Sequence, residues 1–462
     1  MVYRLNRNVE SHFSQLPNVS IGRSRFDRSS SVKTSFNVGR LIPFYVDEVL
    51  PGDTFKVKTS KVVRMQPLVA PIMDNVYLDT YYFFVPNRLV WNHWRELMGE
   101  NTQSAWIPET EYSVPQVTSP DGGWQIGTIA DYMGIPTGVT GLSVNALPFR
   151  AYALICNEWF RDQNLTDPVN FPVSDATVAG SNGDNYITDL AKGGMPFIAT
   201  KYHDYFTSCL PSPQKGPNVT IPIAQLADMP VITKTENHTG GNATLRTNVT
   251  SPGLLSNVGM GDYGIVNVTS STEAGGGSNL RPINLWAQGA NSLTATSINE
   301  LRMAFQIQKL YEKDARGGTR YIELLKSHFG VTSPDARLQR PEYLGGNRVP
   351  ITINQVLQQS GTVAGSTPQG TPTGLSLTAD SNSDFTKSFV EHGFVIGVMV
   401  ARYDHTYQQG LNRMWSRKSR FDYYWPVFAN IGEQAVKNKE IYADGSAKDD
   451  EVFGYQEAWA DY

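Results

Sequence analysis

The sequence predicts a mainly β protein, a single eight-stranded jelly-roll β-sandwich with long helix-containing loops and one large insertion. Three observations predict it. Stretches with strand-like alternation are separated by long excursions. The 40 glycines and 27 prolines supply many turns. Helical patterns occur inside the excursions but do not alternate regularly with strands, as a wound α/β fold would require. A jelly-roll frame tolerates such loops because its rigid strands fix their ends.

Residues 1–40 carry seven cations against two carboxylates, with Ser29-Ser30-Ser31 interleaved. This segment is expected to be an extended basic arm: either a solvated terminus, or an arm lying on neighbouring subunits or nucleic acid. Residues 41–214 are assigned to the first part of the core. In 41–66, β-rich segments flank the turn cluster Pro51-Gly52-Asp53, after which Phe55, Val57 and Thr59 alternate with Lys56, Lys58 and Ser60. Val76–Val85 differs, because both of its faces are apolar or aromatic. A strand of that kind needs cover on both sides, from a second sheet or a neighbouring subunit.

A helix is expected next, capped by Asn87, with Val90, Trp94, Leu97 and Met98 on one face and Gly99 as its stop. Residues 107–145 are a Pro/Gly-punctuated connection. A second helix begins near Pro148, and Phe149, Tyr152, Cys156, Trp159 and Phe160 form a core-facing stripe. Residues 215–281 are assigned to a surface insertion: charge thins, Gly, Ser, Thr and Asn dominate, and short alternations such as Ile221-Pro-Ile223 and Ile265–Val268 appear. Residues 282–462 are assigned to the second part of the core. There Ser297-Ile-Asn-Glu300 has the form of a capping box, and Gly317-Gly318 stop the helix it opens. A second short helix spans Tyr321 to Phe329. A loop is expected from about Gly361 to Asp384, and a buried strand over Phe394–Arg402.

Charge and composition narrow the function. Charged residues make up 18% of the chain, low for a soluble monomer, while 22 Tyr, 20 Phe and 9 Trp favour strands and interface cores. Net charge is −4, so the whole molecule is no polycation. The separated Cys156 and Cys209 suggest neither a disulfide framework nor a zinc site. No secretory segment and no bilayer-spanning run is found, so folding in a reducing compartment without membrane insertion is expected.

Catalytic patterns are weak. Gly259-Met-Gly261-Asp-Tyr-Gly264 matches a dinucleotide fingerprint but lacks the strand and helix that would make it work. His203-Asp204 and Tyr403-Asp404-His405 have the residue types of a base and its orienter, or are ordinary hydrogen-bonders. No enzyme activity, cofactor or metal is expected. Two distant carboxylates in one cleft would leave no sequence trace, which keeps a carbohydrate-active enzyme as an alternative, beside a glycan-binding β-sandwich. The stronger chemical signal is basic. Arg413, Arg417, Lys418 and Arg420 lie among Trp415, Phe421, Tyr423, Tyr424 and Trp425. Cations neutralise phosphates and aromatics stack on unpaired bases. With the arm residues Arg4, Arg7, Arg23, Arg25, Arg28 and Lys33 they are the candidate DNA-binding residues. The alternative is inter-subunit salt bridges and core aromatics.

Y-L-D-T-Y-Y-F-F-V-P-N-R-L-V-W, A-F-Q-I-Q-K-L-Y-E-K-D-A-R-G-G-T-R-Y, S-H-F-G-V-T-S-P-D-A-R-L-Q-R-P-E-Y-L-G-G and T-Y-Q-Q-G-L-N-R-M-W-S-R resemble blocks of the major capsid protein of gokushoviruses, small icosahedral phages of the microvirus family. The resemblance implies a jelly roll that assembles with itself into a T=1 shell around circular single-stranded DNA, formed in the host cytoplasm. It also implies that the insertion forms a surface protrusion about the threefold axes, here the candidate for receptor attachment. Members generally continue beyond Ala458-Trp-Ala-Asp-Tyr462, so a last strand and some subunit contacts are expected past that point.

Overall fold

A computed structural model describes residues 22–66, 72–101, 111–220, 231–233, 258–260, 266–268, 285–287, 298–332, 339–357 and 372–461. The chain divides into two compact units. Unit 1 comprises Met1–Arg161, Asp167–Tyr202 and Arg337–His405; unit 2 comprises Asp162–Thr166, His203–Ala336 and Thr406–Tyr462.

Unit 1 is built mainly of antiparallel sheets. Its long strands are β1 (Ile42–Val49), β2 (Thr54–Val63), β3 (Val76–Pro86), β4 (Glu342–Pro350), β5 (Thr378–Ser388) and β6 (Gly393–Tyr403), and the short strands Ser143–Asn145, Gln116–Thr118 and Val178–Ala179 form a separate small sheet. A four-stranded sheet runs β1-β6-β3-β4, and β2 pairs with β5. The pairing of β3 with β6 places Tyr82 opposite Gly397 and Phe83 opposite Ile396. Both faces of β3 are covered, as its composition requires. Tyr82 and Phe84 enter one core with Val49, Val395, Phe385 and Phe389, against which Phe55 and Val57 of β2 pack. Phe83 and Val85 enter a second core with Ile396, Val398, Val400 and the helix α1 (Leu147–Ile155). The alternation along β2 also holds: Phe55 and Val57 are half-buried while Lys56, Lys58 and Ser60 are exposed.

α1 begins as Pro148 predicts, with Asn145 Oδ1 accepting from Leu147 N at 2.8 Å, and it runs into a π-helical turn, Cys156–Phe160. Phe149, Tyr152, Cys156 and Phe160 are buried, but Trp159 is partly exposed and donates to Pro341 O at 3.0 Å. The helix expected after β3 is broken. A 3-10 turn, Asn87–Leu89, is followed by one α-turn, Trp94–Leu97, because Trp91 leaves the helical path to enter the core and donate to Asp175 Oδ1 at 2.7 Å.

The expected loop to Asp384 is also corrected, since Thr378–Ser388 is strand β5. Its residues have poor strand propensity, but β2 supplies the ladder, and cross-strand hydroxyls reinforce it at Ser60–Ser381 (2.9 Å) and Thr54–Ser388 (2.7 Å). A hairpin of Ile353–Leu357 and Pro372–Ser376 precedes it.

One buried charge lies within the apolar strand β3. Asp79 is 1% exposed, and its Oδ2 accepts from Arg402 Nη2 at 2.6 Å and Tyr202 Oη at 2.6 Å. Arg402 stacks on the Tyr202 ring at 4.3 Å, and Arg348 is held between Tyr77 and Tyr202 at 4.0 and 4.1 Å. Removing one partner of such a buried pair leaves the other uncompensated. Asp79→Ala is therefore expected to destabilise unit 1 by about 3–5 kcal/mol, measured by urea unfolding followed through the buried Trp91 and Trp124.

Unit 2 contains α2 (Ile298–Gly317), α3 (Tyr321–Phe329) and a hairpin of β7 (Glu433–Lys437) with β8 (Val452–Glu457). Gly318 (φ +87°) and Gly330 (φ +69°) terminate the two helices in the left-handed region. Ser297 of the expected capping box and the Ile221-Pro-Ile223 alternation lie outside the described residues. Val266–Val268 is a strand, paired with Val258–Met260. Gly259 of the glycine motif thus lies in a β-ladder, while Gly261 and Gly264 lie outside the described residues.

Candidate nucleic-acid and assembly surfaces

Residues 22–37 of unit 1 have no regular secondary structure and are almost wholly exposed. Serines and cations give this segment no apolar face to bury, so polar contacts fasten it. Arg23 Nη1 donates to Gly52 O at 2.7 Å, Arg28 Nη2 meets Asp47 Oδ1 at 2.5 Å, and Tyr132 Oη donates to Ser35 O at 3.0 Å. At its end, Gly39 N donates to Ala401 O at 2.9 Å. The segment spans a long open groove whose floor includes Phe44, Tyr82 and Met399. Nine cations line the groove against three carboxylates. Among them are Lys56, Lys58, Lys61 and Arg64, which sequence reasoning did not select. The signal of Lys56 and Lys58 was the period-two run on the wet face of β2, visible as a strand face but not as one wall of a groove, whereas Lys61 lies on the opposite, covered face and donates to Thr80 Oγ1 at 2.9 Å. Of the predicted arm residues, Arg23 and Arg28 hold the segment in place, Arg25 and Lys33 are exposed on it, and Arg4 and Arg7 lie outside the described residues.

The second predicted cluster belongs to unit 2 and divides by environment. Arg413 is a structural cation: its Nη2 donates to Ala435 O at 2.7 Å and to Glu440 Oε1 at 2.9 Å, with both side chains largely buried. Arg417 pairs with Asp461 at 3.0 Å and is also largely buried. Lys418 and Arg420 are exposed, and the Arg420 guanidinium lies 4.8 Å from the Phe421 ring centre. Asn412 and Ser419 cap two 3-10 turns, Arg413–Ser416 and Arg420–Asp422, which hold this ribbon open. Trp415, Phe421, Tyr423, Tyr424, Trp425 and Val427 are all exposed, Trp415 by 71%. The expectation of core aromatics therefore fails here. The ribbon presents rings and two cations outward.

Helices α2 and α3 are similarly uncovered. Ala315 is the one buried residue of α2, while Ile298, Met303, Phe305 and Leu310 are exposed, and α3 exposes Tyr321 and Phe329. Exposed apolar surface of this extent marks a contact surface.

The candidate acid–base groups are engaged elsewhere. Asp204 accepts from Thr207 N and Tyr407 Oη, both at 2.7 Å, and Asp404 pairs with Arg348 at 3.5 Å. His405 stacks on Tyr403 at 4.7 Å. Both cysteines are free thiols, and burial pushes that of Cys209 up to about 11. No group of His, Cys, Asp and Glu among the described residues is arranged to hold a metal ion. Among the same residues no helix is long and apolar enough to cross a membrane.

Arg413→Ala is expected to lower the thermal midpoint, because Glu440 is then buried without its partner. Lys418→Ala with Arg420→Ala is expected to leave stability within about 0.5 kcal/mol, as read by differential scanning calorimetry.

Residues 14–462 match the family model described as "Capsid protein (F protein)". Three relatives named "Capsid protein VP1" align over nearly the whole chain. That of Spiroplasma virus 4 is 43% identical over 99% of this chain and 83% of its own length. That of Bdellovibrio phage phiMH2K is 44% identical over 99% and 83%, and that of Chlamydia phage 1 is 42% identical over 98% and 85%. The resemblance read from the sequence blocks is borne out.

Proposed function

The chain belongs to the phage capsid protein (F protein) family, and from that premise we propose that it closes a T=1 icosahedral shell around circular single-stranded DNA. Its role is structural, as a capsid protein of the virion. The observation that carries the reading is exposure: α2, α3 and the ribbon from Met414 to Val427 present large apolar side chains that a soluble monomer would bury. Subunit contacts cover them. Shell interfaces of this obligate kind bury roughly 2,000 Å² or more and are rich in aromatics.

In this reading the chain carries a single eight-stranded jelly roll, with the arm at 1–40, core segments at 41–214 and 282–462, and the insertion at 215–281. Rigid strands set the curvature of the shell and long loops supply its contacts. The insertion, polar and poor in charge, attaches the particle to a host-surface receptor.

Packaged DNA is the partner of the basic surfaces. In the groove under residues 22–38, Arg25, Lys33, Lys56 and Lys58 neutralise phosphates, together with Arg4 and Arg7 of the same arm. On the ribbon, Lys418 and Arg420 neutralise phosphates while Trp415 and Trp425 offer stacking faces to unpaired bases. Arg23, Arg28, Arg413 and Arg417 hold these surfaces in shape and are the weaker DNA contacts.

Negative-stain microscopy with nuclease protection tests the shell. Uniform particles that protect single-stranded DNA are expected; a monodisperse monomer with no particles at any concentration defeats the reading. For the DNA surface, Lys56→Ala with Lys58→Ala is expected to flatten the slope of log affinity against log salt for single-strand binding, by roughly 0.7 for each phosphate no longer neutralised; an unchanged slope removes the groove from the DNA path. Deleting 215–281 is expected to spare particles and abolish adsorption to host cells, whereas loss of particles would assign the insertion to assembly.

A further inference from the structure

Helix α2 meets the β7–β8 hairpin of unit 2 through an unbalanced charge cluster. The antiparallel register places Glu433 directly opposite Glu457, a destabilising arrangement for like charges. Arg316 of α2 bridges them, with Nε 2.6 Å from Glu433 Oε1 and Nη1 2.8 Å from Glu457 Oε1. Its Nη2 stands 3.9 Å from Glu312 Oε2, one turn back on the same helix. One guanidinium thus serves three carboxylates. Gln308 adds a neutral donor, Nε2 to Glu312 Oε1 at 2.9 Å. No side chain enters from Gly432, where a Cβ would stand 3.2 Å from that oxygen and the backbone has φ +109°.

The Glu433 side chain is 0% exposed, and beyond the ion pair with Arg316 neither of its carboxylate oxygens has a hydrogen-bond partner among the described residues. An ionised carboxylate with a bare buried oxygen is costly, because nothing replaces the water it lost. A protonated one donates an O–H and removes a negative charge from the cluster. No metal-holding arrangement stands there among the described residues.

We propose that this cluster is a proton-binding site, and that proton uptake by Glu433 tightens the grip of α2 on the β7–β8 hairpin. The charged groups around Glu433 are Arg316 and Glu312 from α2 and Glu457 from β8. Burial pushes its carboxyl above the usual carboxylate range; Arg316 opposes this, and Glu312 and Glu457 push the same way. The folded state therefore binds this proton more tightly than the unfolded chain does. The contact is strongest below the ordinary glutamate range and weakens as pH rises through the raised value, opposite in sign to the usual acid denaturation. The proposal does not depend on shell formation.

Hydrogen exchange of the full-length protein between pH 5 and 8, corrected for intrinsic rates, tests it in peptides covering 305–317 and 433–437. Wild-type protection is expected to rise as pH falls. Glu433→Gln, which mimics the protonated side chain, is expected to show several-fold higher protection than wild type at pH 7.5 and little pH response. The neighbouring contact of His328 on α3 with Asp314 on α2 (2.6 Å) is common to both proteins, so the comparison isolates Glu433. If Glu433→Gln fails to fold, Glu457→Gln relieves the same repulsion and is expected to raise neutral-pH protection. A Glu433→Gln protein with the wild-type pH response, or with lower protection throughout, overturns the proposal. So does Mg²⁺ or Ca²⁺ restoring neutral-pH protection in wild type but not in Glu433→Gln, which would make the site a metal site.

Discussion

The two-sided apolarity of β3 is the constraint on which unit 1 depends. Tyr82 and Phe84 demand cover on one face, Phe83 and Val85 on the other, and the chain supplies it from distant segments: β2 and β5 on one side, α1 and its surrounding loops on the other. Fixing β3 in the middle of the four-stranded sheet leaves its neighbours little choice. β6 is buried nearly throughout, and Gly397 stands where a side chain would strike the Tyr82 ring at 2.8 Å. Asp79 interrupts the apolar strand with a charge held by Arg402 and Tyr202 through Oδ2, with Arg348 3.7 Å from Oδ1. Such a group favours one register over others, since a one-residue slip would turn it into the apolar core.

Much of this was legible in the sequence. The need of β3 for two covers, the wet and dry faces of β2, the burial of β6 and the start of α1 all follow from period and composition, because those signals are local. The misses have physical causes. Thr378–Asp384 has the composition of a loop, and only the ladder offered by β2, distant in sequence, makes it a strand. Trp91 fits a helical run, but the apolar core and Asp175 draw it out. For the same reason the arginine-rich cluster could not be sorted from sequence. Arg413 and Lys418 look alike along the chain, and only the buried Glu440 beside Arg413 separates a brace from an exposed cation.

The charged groove under residues 22–38 shows how a strand's solvent face gains meaning from its neighbours. Lys56 and Lys58 are unremarkable as alternating polar residues on β2. Beside a segment carrying Arg25 and Lys33 they become part of the lining of a groove with more cations than carboxylates.

Helix α2 carries a different consequence. Twenty residues long, it buries only Ala315 against its own subunit, so little tertiary packing underwrites its helicity in a lone chain. A second protomer that covered its exposed face would add to its stability by mass action.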